Sequence, residues 1–442
     1  MTPLERLQWI ICFSGFLDLF GVAMLYPLLI HQAKTLGATP GQVGLFGSIY
    51  GTLQFFTSPI MGQLSDHVGR RTVLLMSLVG TAVGYILLGM SNSIILMALA
   101  RVPSGIFKHS LSMNRTYLAD ISPPKQRASF LGMFNSMSSL GFIVGPTLGG
   151  ILSTTENGFQ KVAMLSSSLF IFNACFVYFF IPKCGGDKRV KENNIYNGDN
   201  IFDEDKINAG DNNFQKGNSC DRKIYSGGKI DTDRSSSTER NYYFFALNIF
   251  RNIRSIPWTR VWDVFVIRFL LSLAMSLFRS NFTSILVYKF QTDPKTNGYI
   301  LSFNGIISAL SGATVKWISL FFNSNSMLQK TFSTVLVFSL LAITFAPSLQ
   351  MVIASLVPLC IASSVLRVTN VIALYSRGEE KSRGLLNGCR DTLSSISRAI
   401  APLLAGYAQE FSLYGPGLGG SFLAVLATSV AFASPHIKIH ID

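Results

Sequence analysis

Polar and apolar positions in this chain are segregated over whole segments. Long apolar runs, broken by short polar links, follow one another almost to the end of the sequence. Crossing a bilayer takes roughly 20 apolar residues, and twelve runs approach or pass that length: 8–30, 42–64, 72–90, 93–118, 128–152, 161–182, 262–288, 297–321, 330–347, 350–376, 384–410 and 417–435. The pattern predicts an all-α membrane protein of twelve transmembrane helices. One stretch departs from it. Residues 183–240 are rich in Asn, Asp, Gly, Ser and Lys, a composition that buries too little apolar surface to fold alone. The expected organisation is therefore a six-helix bundle over 1–182, a largely disordered cytoplasmic linker over 183–258 and a second six-helix bundle over 259–442. At the end of the linker, 242–258 with Arg251, Arg254 and Trp258 reads as an interfacial amphipathic helix.

Shifting one half against the other exposes a repeat. At a shift of 254, Pro40, Gly44, Ser48 and Gly51 meet Pro294, Gly298, Ser302 and Gly305. At 255, Val102 and Pro103 meet Val357 and Pro358. At 256, Arg127, Gly132, Ser138, Ser139, Pro146 and Gly150 meet Arg383, Gly388, Ser394, Ser395, Pro402 and Gly406. So constant a shift argues for duplication, with a substrate site at the midplane between parallel repeats.

Composition agrees with the spans and narrows the function. Only 14% of the residues are charged, against roughly 25% in soluble proteins. The net charge of +14 does not mark a nucleic-acid binder, because the basic residues are scattered over helix ends and links. Arg6, Arg70, Arg71, Lys125, Arg127, Arg251, Arg254, Arg260, Lys330, Arg377, Lys381, Arg383 and Lys438 fall on one side, against Lys34, Lys161, Lys289 and Lys295 on the other. The positive-inside rule puts the first set, and both termini, in the cytoplasm. The first apolar run passes 20 residues without a small-residue cleavage site, so no cleavable signal peptide is expected. The six cysteines show no metal-ligand spacing, so neither a metal nor a cofactor is expected. No phosphate loop, HExxH or nucleophile elbow occurs, which argues against an ATP-driven pump or an enzyme.

Between the second and third spans the chain reads Gly62-Gln-Leu-Ser-Asp66-His-Val-Gly69-Arg70-Arg71. This spacing, at this position among twelve spans, resembles the signature loop of the major facilitator superfamily. The resemblance implies two six-helix bundles that rock about a central site. It also implies a latch of Asp66, Arg70 and Asp120 holding the outward-open state, with Asp66 beside the start of the eleventh span, where a helix dipole favours a carboxylate. The link after the eighth span, 323–330, lacks the Asp and the paired arginines, so a single latch is expected. In the fifth span, Gly141, Gly145, Pro146, Gly149 and Gly150 form a small-residue face that lets backbones approach closely, bent by the proline. In the family this motif belongs to the antiporter branch.

Candidate chemistry lies on charges inside spans. Asp18 sits about 15 Å into the first span at roughly 1.5 Å per residue, and an ionisable group at that depth is by default a functional candidate. Its setting, Asp18 and Gly21 followed by Pro27, resembles tetracycline-type proton antiporters. A proton carrier and a structural partner of Arg101 are both open readings of it. In the fourth span Arg101, Lys108 and Arg115 recur every seven residues, beside His109. A continuous helix would align them in one basic stripe, and Arg101 with Gly105 matches the family's fourth-helix motif. Arg268, Arg279, Arg367, Arg390 and Arg398 add charge in the second half, with Asp263 and Asp391 as nearby acids. Arginine binds carboxylate and phosphate bidentately, so an anionic solute is expected; Arg115 and Arg390 near helix ends also fit simple snorkelling, and drug-like cations or neutral solutes stay open.

The function expected is that of a secondary active transporter of a small organic solute, coupled to protons. The competing expectation, motivated by the degenerate second-half link, is a facilitator-fold receptor or scaffold that no longer transports. The partners expected are the solute, protons and the lipid bilayer, without nucleic acid, and the chain is expected to act as a monomer.

Overall fold

The computed structural model describes residues 3–123, 126–182, 258–322, 324–377 and 383–434. The linker and interfacial helix expected over 183–258 lie, Trp258 apart, outside the described residues, as do Lys125, Lys381 and Lys438. The first half contains α1 (Pro3–Thr35), α2 (Pro40–Val68), α3 (Arg70–Gly89), α4 (Ile94–Leu99), α5 (Arg101–Phe107), α6 (Ser110–Ile121), α7 (Arg127–Leu152) and α8 (Gly158–Phe180). The second contains α9 (Trp258–Lys289), α10 (Pro294–Ser319), α11 (Asn325–Phe345), α12 (Leu349–Arg377), α13 (Arg383–Phe411) and α14 (Gly415–Ala433). Because α4, α5 and α6 are pieces of one rod, these helices make twelve membrane-scale rods.

Among the described residues nine rods are long and apolar enough to cross a membrane on composition alone, while α2, α7 and α13 fall short. All three are rich in glycine and serine, and glycines of each lie where the halves face each other. Each half otherwise packs about its own core, one centred on Ile11, Met24, Leu74, Leu78 and Phe134, the other on Ile267, Leu336, Leu340, Val352 and Leu356.

The halves meet at two equivalent seams, α2 along α13 and α7 along α10. The seams repeat each other atom for atom where the sequence repeats. Gly44 lies against the Pro402 carbonyl and the Gly406 backbone, while Gly298 lies against the Pro146 carbonyl and the Gly150 backbone. Both helices that supply these glycines start alike, with a side-chain cap followed by proline: Thr39 before Pro40 and Asp293 before Pro294. Further bonds close the same face: Lys34 Nζ donates to the Val287 carbonyl, and the Tyr288 hydroxyl to the Ala38 carbonyl, each at 3.1 Å.

Both seams open toward the opposite face, where the basic links lie. Along α2, Gly41, Gly44, Gly47 and Gly51 touch α13, but a Cβ at Gly62 would meet nothing within 4 Å. Along the other seam Gly305 touches Ile143, yet Gly132 and Gly312 have open space. The molecule is closed at one face and splayed at the other.

Within the first half, the fifth-span motif is the packing surface of α7 on α1. A side chain at Gly141 would run into the Phe20 backbone, and one at Gly149 into the Met24 carbonyl. Gly145→Leu, facing Ala23, is expected to destabilise the protein by about 1–3 kcal/mol through overpacking, read as a lowered thermal midpoint of the purified protein.

Candidate functional site

The fourth rod is where structure and sequence pattern part. Ala100 keeps helical dihedrals, so α4 runs on into α5. At Lys108 (φ −74°, ψ 67°) and His109 (φ −117°, ψ 4°) the helix unwinds before α6 begins. The expected stripe of Arg101, Lys108 and Arg115 on one continuous helix is therefore incorrect, because the interruption redirects Lys108 inward.

Lys108 Nζ forms an ion pair with Asp18 Oδ1. Ser110 Oγ donates to the same carboxylate oxygen at 2.6 Å, and Lys108 Nζ to Ser110 Oγ at 3.1 Å. The ammonium also stands 4.5 Å from the centre of the Phe170 ring. Asp18 is fully buried, and its Oδ2 has no hydrogen-bond partner among the described residues. The alternative pairing of Asp18 with Arg101 is not formed, since Lys108 takes its place. Arg101 instead lies among Tyr26, Tyr50 and Tyr85, with its Nε buried and lacking a hydrogen-bond partner among the described residues.

Between the halves lies a cavity of three adjoining lobes, of about 950, 720 and 510 Å³. Leu19 borders all three, Arg115 joins the first to the second, and Arg367 joins the second to the third. The largest lobe holds Lys108, Arg115, Arg268 and Arg398. The smallest holds Arg279 and Arg367 with Tyr26, whose hydroxyl donates to the Arg279 carbonyl at 3.1 Å and so joins α1 to α9. Three of these arginines donate to serine hydroxyls: Arg268 to Ser394 (3.2 Å), Arg367 to Ser364 (3.0 Å) and Arg398 to Ser395 (2.8 Å). Arg115 faces the Phe134 ring at 5.9 Å. Among the described residues six cationic side chains thus line the lobes, one of them Lys108 already paired with Asp18, against the carboxylate of Asp391, which is drawn to Arg390 at 3.0 Å. Such a cavity attracts anions, and arginines held only by hydroxyls keep donors free for them.

At the splayed face, Arg70 pairs with Asp66 at 2.6 Å and with Asp120 at 3.0 Å, and Gly69 supplies the positive φ of +99° that turns α2 into α3. Arg71 stacks over the Tyr178 ring at 5.1 Å. All these partners belong to one half, so the pairs tie α2, α3, α6 and α8 together and persist with this face open. Sequence reasoning missed their counterpart in the second half: Arg377 Nη1 donates to both oxygens of Asp263 at 2.7 Å, and Ser434 also donates to that carboxylate. No motif announces this clamp between α9 and α12. The available signal was Asp263 itself, an acid within an apolar span.

Twelve membrane-scale rods in two repeats, closed at one face around a shared cavity, define a membrane carrier architecture. Residues 11–327 match the family model described as Major Facilitator Superfamily, and the chain belongs to that superfamily. Relatives include a class H tetracycline resistance protein from Pasteurella multocida, 29% identical over 36% of this chain and 41% of the relative. Major facilitator superfamily domain-containing protein 10 from Mus musculus is 34% identical over 32% of this chain and 30% of its own length. These two local alignments span less than half of either relative. Solute carrier family 22 member 18 from Mus musculus aligns over 88% of this chain and 86% of its own length at 24% identity. A likeness to major facilitator superfamily domain-containing protein 9 is an expectation from the sequence of residues 15–30 and 98–109; a relative found is protein 10. Among solved structures, the human organic anion transporter MFSD10 (TETRAN) superposes with a TM-score of 0.61 at 20% identity, over 98% of this chain and all of its own. A bacterial homologue of the lysosomal transporter Spinster, inward-facing and unoccupied, gives 0.68 at 13% identity over 98% and 96%. These likenesses show the fold.

Removing one partner of the buried pair strands the other. Lys108→Met is expected to cost about 3–5 kcal/mol, whereas adding Asp18→Asn to it should recover much of the loss. Thermal unfolding of the two single variants and the double variant measures the coupling.

Proposed function

We propose that this protein carries a small organic anion across a membrane by alternating access, coupled to protons through Asp18. The observation that carries the reading is the cavity lining, six cations against one carboxylate. At roughly 510 to 950 Å³ the lobes have the size of small-molecule sites, about 300–1,000 Å³. The bilayer makes intramembrane charge costly unless it is paired or wet, so unpaired arginines at a cavity wall fit a site whose counter-ion is the cargo. Arg279 and Arg367 in the smallest lobe are the residues assigned to hold the anion, with Arg268, Arg398 and Arg115 along its path. The printed description of one structural relative as an organic anion transporter supports the same class of cargo, and the tetracycline resistance relatives support an efflux-type antiporter scaffold.

The positive-inside rule assigns the splayed face, with Arg70, Arg71 and Arg127, to the cytoplasm, so the state described here is inward-facing with both chain ends inside. Asp66, Arg70 and Asp120 act as a brace within the first half, completing a cytoplasmic closure when the halves swing together. The protein works as a monomer, and no cofactor or metal enters the cycle.

Binding is the first consequence to check. An organic anion at 100 times its Kd should add about 2.7 kcal/mol of stability, visible as a raised thermal midpoint in a panel of organic anions and cations. The gain should vanish in Arg367→Ala. Stabilisation by cations alone would contradict the reading.

A further inference from the structure

The interruption of the fourth rod contains neither proline nor glycine: the local sequence is Phe107-Lys108-His109-Ser110. Local preference does not require it, and the surroundings hold it from two sides. From α2, Gln54 Nε2 donates to the freed Lys108 carbonyl at 2.8 Å, and Thr57 Oγ1 lies 2.9 Å from His109 Nε2. From α1, Asp18 grips the two residues that flank His109, Lys108 through its ammonium and Ser110 through its hydroxyl. Gln54 and Thr57 also sit at a particular place on α2. They lie between Gly51, in contact with α13, and Gly62, where the seam is open.

We propose that this interruption is a hinge set by the charge on Asp18, open at 108–109 when the carboxylate is ionised and closed into a continuous helix when it is protonated, with Gln54 as the positioning residue that passes the change to α2. The inference rests on the proton-coupled reading above and adds the moving part. A proton taken from cavity water onto the unpartnered Asp18 Oδ2 leaves the Lys108 ammonium without a counter-charge in a buried site. Lys108 already borders the largest lobe, so its side chain has a route to water. Turning outward removes the pull that bends residue 108 from helical dihedrals. Its carbonyl can then accept the backbone N–H of Ser112 four residues on, as in any α-helix, and Gln54 is released. Helix α2 is thereby freed at the point where the halves part.

Other groups that could answer to pH around Asp18 are few. His109 and Lys108 lie at the interruption, Tyr50 faces it from α2, Tyr85 from α3 and Arg101 from α5. Helix α8 contributes Phe170 and Asn173, and α7 contributes Phe134, none of which titrates. His109 is the competing sensor.

Amide hydrogen exchange of residues 104–113 in lipid nanodiscs tests the hinge without any substrate, since exchange reports local opening. At pH 7.5, Asp18→Asn is expected to slow exchange at 109–112 by about tenfold or more relative to wild type, and Gln54→Leu to slow it in the same direction. The wild-type response to lowering the pH, corrected for intrinsic exchange rates, should disappear in Asp18→Asn. Unchanged exchange in both variants overturns the hinge, and a pH response persisting in Asp18→Asn assigns it to His109 and overturns the role of Asp18. If Asp18→Asn does not fold, Gln54→Leu and Lys108→Met decide the matter by the same readout. A responsive hinge in a protein that moves no anion would fault the transport reading instead.

Discussion

A charge inside a bilayer must have a counter-charge or reach water, at a cost of several kcal/mol otherwise. Much of this structure follows from that constraint. Two buried acids are paired, Asp18 with Lys108 and Asp263 with Arg377. Arg101 is set among tyrosines instead. Arg115, Arg268, Arg279, Arg367 and Arg398 line the cavity between the halves, three of them steadied by serine hydroxyls. The fourth rod is unwound where Lys108 pairs with Asp18, and the backbone carbonyl freed there is satisfied by Gln54. Each polar group leads to the next, and the chain of consequences ends at the seam between the halves.

The seams show how duplication becomes mechanism. Gly44 on Pro402 and Gly298 on Pro146 are one contact made twice, related by the same shifts that align the sequence with itself. Without hydrophobic drive between helices in lipid, such close backbone approach supplies the attraction. Because it is confined to one end of each seam, the halves are free to part at the other. The alternating access proposed here needs two seams that open and close together, and the equivalent glycine contacts fit that need.

Much of the fold was legible in the sequence for the same reason. Apolar runs at membrane length located the rods, and α2, α7 and α13, which fall short on hydropathy, are helices of the seams between the halves. Gly141, Gly145 and Gly149 were legible because small residues at a spacing of four have one use in a helix. The interruption at 108–109 was not legible: heptad spacing assumes an unbroken helix, and what breaks this one comes from Asp18 and Gln54, distant in sequence. The Asp263–Arg377 clamp was hidden likewise, its partners 114 residues apart. Arg101 was legible as a buried charge, but its position behind three tyrosines depended on packing that no spacing encodes.

The most direct test of the account is uptake of an organic anion that stabilises the protein into proteoliposomes, with and without an imposed pH gradient, for wild type and Asp18→Asn. The account predicts that wild type accumulates the anion under a gradient of one sign and loses that accumulation when a protonophore collapses it. Asp18→Asn should still exchange anion across the membrane but fail to accumulate it. Equal gradient-driven accumulation by the two proteins would contradict the claim that the buried carboxylate couples protons to transport.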